Sequence, residues 1–216
     1  SDESKLAKVA YEIQILESTS ATICCDITEL CKLKESLRGV KIDLIFHSAD
    51  ILHLGDTKES LSECLRVNVK GTENLLYALT HFAVVESGAN LIIVSSLASL
   101  VEFYGLESFS RSQRAQIEHV KCWSDCIEAR GIILTIAYLK IVDVMRIKKI
   151  PVTNRLINQK IRDWPISMDL ASVILEKSLS GESTIYFSKF HRIFNPLIKY
   201  FPRLSSWLVS SVVRLV

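Results

Sequence analysis

Short apolar runs alternate with longer amphipathic stretches, and this alternation constrains the fold more than any other feature. The runs ATICC, IDLIFHSA, ANLIIVSS, GIILTIAYL and STIYF have the length of strands and show little polar alternation. Stretches with apolar residues at helical spacing separate them, as with Leu6, Val9 and Ile13 in the first. Strands that are apolar on both faces are typical of a parallel sheet covered by helices on both sides. The pattern therefore predicts a doubly wound α/β domain.

One of the predicted helices carries a polar residue on its apolar face. The predicted helices cover residues 3–16, 27–37, 56–79, 108–130 and 168–179. The third is expected to begin at Asp56, because Glu59 three residues later completes a capping-box pattern. Its apolar face carries Leu61, Leu65, Thr72, Leu75, Leu79 and also Asn68. A buried amide needs hydrogen bonds, so Asn68 either ties its helix to a neighbouring element through backbone groups or holds a water or side chain in a site.

Composition and charge fit one globular domain followed by a tail. The chain has 216 residues, 49% of them hydrophobic, and a net charge of +2 that gives no support to nucleic-acid binding. The domain is predicted over residues 1–189. Residues 190–216 form an apolar, basic tail in which Pro196 and Pro202 would interrupt a helix. This tail is expected to pack on the domain, on a partner such as a second subunit, or on a membrane surface.

The six cysteines do not predict a metal site. They form no C-x-x-C pair, and Cys122 and Cys126, which lie one helical turn apart, do not by themselves predict a zinc site. Reduced thiols of a cytoplasmic protein are the preferred interpretation. The localisation predicted is therefore cytoplasmic, with peripheral membrane contact through the tail as the alternative.

Several fragments follow one another in a recognisable order. CDIT contains Asp26, HSAD contains Ala49, NVKG begins at Asn68 and VSS ends at Ser96. FSRSQRAQ then places Phe109 thirteen residues after that serine, and AYLKIVDVM follows. In order and spacing, these fragments resemble the short-chain dehydrogenase/reductase family over nearly the whole chain. The resemblance implies a Rossmann-like fold.

The resemblance also implies roles for individual residues. Asp26 would meet the adenine ring of NAD or NADP, while Asn68 and Ser96 would belong to the catalytic tetrad. Ala49 is retained where the family usually has Asn-Asn-Ala-Gly. In the stretch that borders the nicotinamide, Leu139 and Lys140 replace the family's Pro and Gly, so the cofactor positions implied here are Asp26, Ala49 and Leu139.

Two tetrad positions depart from the family pattern. Phe109 stands in the slot of the family's tyrosine, and Gln113 stands in the slot of its lysine. In an intact member the tyrosine hydroxyl transfers a proton, and the lysine lowers its pKa and grips the nicotinamide ribose. A phenyl ring has no proton to give, and an amide has no charge with which to tune a phenol.

The second departure from the family pattern concerns the glycine-rich turn that binds the cofactor. The seven glycines form no G-x-G-x-x-G turn or phosphate-binding loop. By alignment, the chain begins after the second strand, so the N-terminal strand-helix-strand unit is expected to be missing from it. The cofactor predicted is NAD or NADP if the full protein has that segment, and none otherwise.

Three functions remain open. The first is a catalytically degenerate dehydrogenase-like protein, a pseudoenzyme kept for binding or assembly. The second is an active NAD(P)-dependent oxidoreductase of a carbonyl or secondary alcohol, with a divergent proton donor among His47, Asp50, Tyr104 and Tyr138. The third is a membrane-surface or partner-docking module built on the tail. The expected ligand is a small carbonyl or alcohol, and the family commonly forms homo-oligomers.

Overall fold

Four parallel strands form the sheet of the domain. The computed structural model of the protein describes residues 2–53, 56–100, 102, 105–139 and 169–187. Its strands are β1 (Lys41–His47), β2 (Val84–Ser96), β3 (Ile133–Leu139) and β4 (Thr184–Tyr186). They lie in the order β1-β2-β3-β4, and every neighbouring pair is parallel. The predicted parallel α/β fold is confirmed.

Helices connect the strands and flank them. They are α1 (Glu3–Ile15), α2 (Leu30–Ser36), α3 (Lys58–Cys64), α4 (Thr72–His81), α5 (Glu107–Cys122), α6 (Ser124–Ala129) and α7 (Asp169–Leu179). A π-helical segment, Leu65–Gly71, joins α3 to α4, and a 3-10 turn, Leu97–Ser99, follows β2. The helix predicted over 56–79 is therefore present, with a widened turn in its middle.

Alternate residues of the strands pack on opposite faces of the sheet, which explains their continuous apolarity. In β2, Leu91 and Ile93 contact a cluster that contains side chains of α4, α5 and α6. Ile92, between them in sequence, packs instead with Ile174 of α7. Each such buried side chain contributes about 1.5–3 kcal/mol relative to an exposed one. Both faces of the central strands are therefore buried, as expected for a doubly wound sheet.

The strand predicted over ATICC does not form. Residues 21–25 are irregular, and Ile23 is 53% exposed. A strand needs a hydrogen-bonded neighbour, and in the described part of the chain β1 pairs only with β2 and leaves its other edge without a strand. The apolar pattern alone is insufficient where that partner is not present.

Three predicted boundaries also differ from the structure. β2 begins at Val84 rather than at residue 89, and an irregularity in its pairing with β1 accommodates the extra length. The helix predicted over 108–130 breaks at Trp123, whose ring packs edge-on against Tyr77. The N-cap of α3 is Thr57, whose Oγ1 accepts from the Ser60 N–H at 3.0 Å. Asp56 is therefore not the capping residue.

Some predictions lie outside the described residues. These are the tail over 190–216, the domain boundary at residue 189, Lys140 and Tyr104. The docking and membrane roles of the tail therefore stay predictions. Within the described ranges, no helix combines the length and the hydropathy needed to cross a bilayer.

Candidate active site

The candidate site lies at the carboxyl ends of the strands, beside the first turns of α5. His47, Ser96 and Leu139 are the last residues of β1, β2 and β3. In parallel α/β sheets ligands bind at this edge, because the loops that follow the strands converge there. The polar residues that the sequence singled out in the helices approach this edge from α5 and from the π-helical segment.

Asn68 ties the π-helical segment to the connection after β1. It is fully buried, and its Oδ1 accepts from the Ile51 N–H at 2.7 Å while its Nδ2 donates to the Ile51 carbonyl at 3.0 Å. The same Nδ2 donates to Ser112 Oγ at 2.9 Å. Leaving a buried backbone group unpaired costs about 1–3 kcal/mol. The side-chain amide of Asn68 thus ties the π-helical segment to the connection after β1 through backbone groups, and to α5 through Ser112.

Ser112 links Asn68 to the backbone of Phe109 through hydrogen bonds. Its hydroxyl accepts from Asn68 and donates to the Phe109 carbonyl at 2.8 Å. Phe109 itself is 3% exposed, so its ring is enclosed within the domain. The position at which the resemblance expects the tyrosine therefore holds a buried hydrocarbon side chain, and only the Phe109 backbone takes part in the polar network.

Gln113 is fully buried and contacts Ser95 rather than Ser96. The Ser95 hydroxyl donates to Gln113 Oε1 at 3.1 Å, and the Gln113 Nε2 has no hydrogen-bond partner among the described atoms. Ser96 Oγ instead accepts from the Ala98 N–H at 3.1 Å and caps the 3-10 turn. The alternation of side chains along β2 was the signal that could have identified Ser95, because it lies on the same face as Ile93.

His47 belongs to a second buried cluster. Its Nε2 lies 2.8 Å from Thr72 Oγ1. The same oxygen accepts a hydrogen bond from Gln116 Nε2 at 2.8 Å. The Thr72 hydroxyl has one proton and donates it to the Asn68 carbonyl at 2.6 Å. His47 must therefore carry its proton on Nε2 and donate it to Thr72. Burial lowers the pKa of His47 to about 4, so the ring is neutral at physiological pH.

Asp26 is held at the surface by its own turn. Its Oδ1 accepts from the backbone N–H and the hydroxyl of Thr28, both at 2.9 Å. These hydrogen bonds lower the pKa of Asp26, and the nearby Arg66 guanidinium lowers it further. Gly71 lets the helix approach this turn, because a Cβ there would meet Ile27 Cγ2 at 2.6 Å. The sequence resemblance had named Asp26 but not its partners.

The remaining candidates occupy different surroundings. Ala49 is exposed in the connection after β1, and Leu139 is half-buried beside α7. Tyr138 is 4% exposed and stacks on Tyr186 with ring centroids 5.0 Å apart. Burial raises the pKa of Tyr138 above its usual range, which weakens it as an acid. Asp50 is half-buried next to Ala49.

The arrangement contains hydrogen-bonding groups but no acidic side chain at positions 109 and 113, where the resemblance expects the tyrosine and the lysine. Phe109 and Gln113 have no ionisable atom, and the His47 imidazole is enclosed by neutral partners. In the ranges that the structure describes, no three His, Cys, Asp or Glu side chains converge to hold a metal ion. All six cysteines are free thiols, and Cys64 is the buried one.

The sequence of this site region decides the family. Residues 2–129 match the model of the 3-beta hydroxysteroid dehydrogenase/isomerase family. The chain belongs to this family. No curated protein sequence matches it significantly.

Solved structures with the same fold accord with membership of the 3-beta hydroxysteroid dehydrogenase/isomerase family. A short-chain dehydrogenase/reductase from Burkholderia phymatum in complex with NAD matches with TM-score 0.71 and 14% identity, over 92% of this chain and 80% of the other. A gluconate 5-dehydrogenase from Burkholderia cenocepacia J2315, in complex with NADP and tartrate, matches with TM-score 0.71 and 13% identity, over 87% and 81%. The expected short-chain dehydrogenase/reductase relationship is confirmed. At 14% and 13% identity, the two solved structures by themselves show only that the fold is shared.

The residues of this chain fit only part of a dinucleotide site. Asp26 presents a half-exposed carboxylate, Ala49 lies in the connection just after β1, and Leu139 is the last residue of β3. A pyrophosphate, however, needs a glycine-rich turn whose backbone it can approach, and these 216 residues contain none. The chain therefore does not supply a complete cofactor site by itself.

Proposed function

We propose that this member of the 3-beta hydroxysteroid dehydrogenase/isomerase family has a degenerate proton-transfer site and serves in binding or assembly rather than in redox catalysis. One observation carries the proposal. At the tetrad's lysine position, Gln113 is buried and its Oε1 accepts from Ser95, while Phe109 fills the tyrosine position with a buried ring. General acid–base help is typically worth about 10²–10⁴-fold in rate. Hydride transfer without it would be slow.

Two of the groups that could replace the tyrosine as proton donor, His47 and Tyr138, lie in surroundings that support this proposal. His47 is neutral, and its Nε2 proton is engaged by Thr72. Tyr138 is buried against Tyr186, and burial raises its pKa. The His47 proton is therefore held by Thr72, and Tyr138 is a weaker acid than an ordinary tyrosine.

An active oxidoreductase is the second candidate, and family membership favours it. The family name points to 3β-hydroxysteroids as the class of alcohol, and NAD or NADP as cofactor would require a glycine-rich turn from outside these residues. Asn68 is present in this chain, as the resemblance expects. In this candidate Asp50 would be the proton donor to examine first.

Cofactor absorbance in the full-length protein tests the proposal. Wild type should leave NADH and NADPH unchanged with ketones and aldehydes, and NAD and NADP unchanged with secondary alcohols that include 3β-hydroxysteroids. Phe109→Tyr combined with Gln113→Lys should gain turnover, since it restores the phenol and the cation. Phe109→Tyr alone is the control and should gain far less, because the buried phenol would lack a cation to lower its pKa.

Turnover by wild-type protein would refute the degenerate-site proposal and establish the second candidate. A stability measurement on each variant is part of the test, because Gln113 is fully buried and a lysine there is costly unless it is paired. A folded double variant that binds cofactor without turnover would mean that positions beyond 109 and 113 also limit catalysis.

A further inference from the structure

Gln113 and Gln116 are neighbouring buried amides on α5. They lie three residues apart, so their side chains leave the helix on the same side. Gln113 is 0% exposed and Gln116 is 1% exposed. Each amide uses one of its two ends in a hydrogen bond to another side chain, and the other end has no partner among the described atoms. The interior of the domain therefore contains two adjacent amides that are only partly satisfied.

The two unpaired ends are of opposite kinds. Gln113 Oε1 accepts from the Ser95 hydroxyl at 3.1 Å, so its unpaired atom is the donor Nε2. Gln116 Nε2 donates to Thr72 Oγ1 at 2.8 Å, so its unpaired atom is the acceptor Oε1. One amide thus lacks an acceptor, and the other lacks a donor.

The neighbouring hydroxyl groups explain why the amides have these orientations. The Thr72 hydroxyl gives its one proton to the Asn68 carbonyl at 2.6 Å. A Gln116 amide turned the other way would therefore place two oxygen acceptors against each other. On the other side, Gln113 Oε1 provides the acceptor for the Ser95 proton. The unpaired Nε2 and Oε1 are the ends that point away from these partners.

We propose that one buried water bridges Gln113 Nε2 and Gln116 Oε1. The water accepts from the first amide and donates to the second, a role that no side chain of the described residues fills. Buried waters usually pair with polar groups that would otherwise lack a partner. An unpaired buried amide is costly, whereas ordering one water that satisfies two of them costs much less.

This water would join two hydrogen-bonded groups that the protein atoms leave separate. One group contains His47, Thr72 and Gln116, and it begins at the carboxyl end of β1. The other contains Gln113 and Ser95, near the carboxyl end of β2. The bridge connects the two strand ends through α5. The inference does not depend on the proposed function, because the two amides need partners whether or not the site catalyses a reaction.

Nuclear Overhauser spectroscopy of the ¹⁵N-labelled full-length protein detects the water. The side-chain amide protons of Gln113 and Gln116 should both show cross-peaks to water, with opposite signs in the laboratory and rotating frames, as expected for a bound molecule. Asn74 is the internal control. It is 2% exposed, and its Nδ2 donates to the carbonyl groups of Ile27 and Thr28, so it should show no such cross-peak.

Gln116→Met removes the acceptor while keeping the length of the side chain. The water cross-peak of Gln113 should then disappear. Gln14→Met is the matched control, because Gln14 is exposed on α1, and it should leave that cross-peak unchanged.

Two results would overturn the proposal. The first is a wild-type protein in which Gln113 shows no cross-peak to water. The second is a cross-peak that persists in Gln116→Met, since it would then come from another group, such as the exchanging Ser95 hydroxyl proton. Urea unfolding checks that the variant folds. If it does not, the wild-type spectrum decides, because the bridge requires cross-peaks at both glutamines and none at Asn74.

Discussion

Acidification to about pH 5 should destabilise the protein by roughly 2 kcal/mol through His47 alone. The ordinary pKa of the imidazole is 6.5, and burial lowers it to about 4 in the folded protein. At a pH between these two pKa values, the His47 imidazole therefore binds a proton in the unfolded chain but not in the folded chain. The stability contributed by neutral His47 is complete above about pH 6.5 and is lost as the pH falls through about 4. The full loss is about 3 kcal/mol.

The structure gives the physical reason for this loss. The His47 ring is 4% exposed and donates Nε2–H to Thr72, whose oxygen also accepts from Gln116. Because Thr72 and Gln116 are neutral, neither offers a counter-charge to an imidazolium. A buried cation without a partner is strongly disfavoured.

Urea unfolding at about pH 7.5 and pH 5 measures the effect in wild type and in His47→Gln. The glutamine keeps an amide that can donate to Thr72, and it does not titrate. The variant should be less stable than wild type near neutral pH, and this difference should shrink by roughly 2 kcal/mol at pH 5. His81→Gln is the control, because His81 is exposed at the end of α4, and it should follow the wild-type pH dependence. The same pH dependence in His47→Gln and wild type would refute the reasoning.

Two substitutions probe the contacts that position the candidate site. Asn68→Ala should lower the free energy of unfolding by about 2–4 kcal/mol, since it leaves the N–H and C=O of Ile51 without partners; a loss below about 1 kcal/mol in urea unfolding would contradict this role. Gly71→Ala should cost about 1–3 kcal/mol, because its Cβ would meet Ile27 Cγ2 at 2.6 Å. The cost should be smaller in an Ile27→Ala background, and an unchanged cost would show that the close approach is not the cause.

Local patterns in the sequence identified most of the secondary structure. The run ANLIIVSS predicted a buried strand because a strand packed on both faces must be apolar at successive positions, and β2 contains this run. The run ATICC has a similar composition but no neighbouring strand in the described residues, so the same local signal failed there. The break at Trp123 was missed for a related reason, since its aromatic contacts come from α4.

For the candidate site, too, the sequence determined some features and only the tertiary structure decided the others. The sequence by itself determined which residue types stand where the resemblance expects the tetrad, because Phe109 and Gln113 are read directly from their spacing after Ser96. Only the tertiary structure decided the partners: Gln113 with Ser95, and Arg111 with Asp56. A residue's chemistry belongs to its own side chain, and spacing along the chain assigns it to an element. Its hydrogen bonds depend on segments far away in sequence, whose approach is set by the packing of the whole domain.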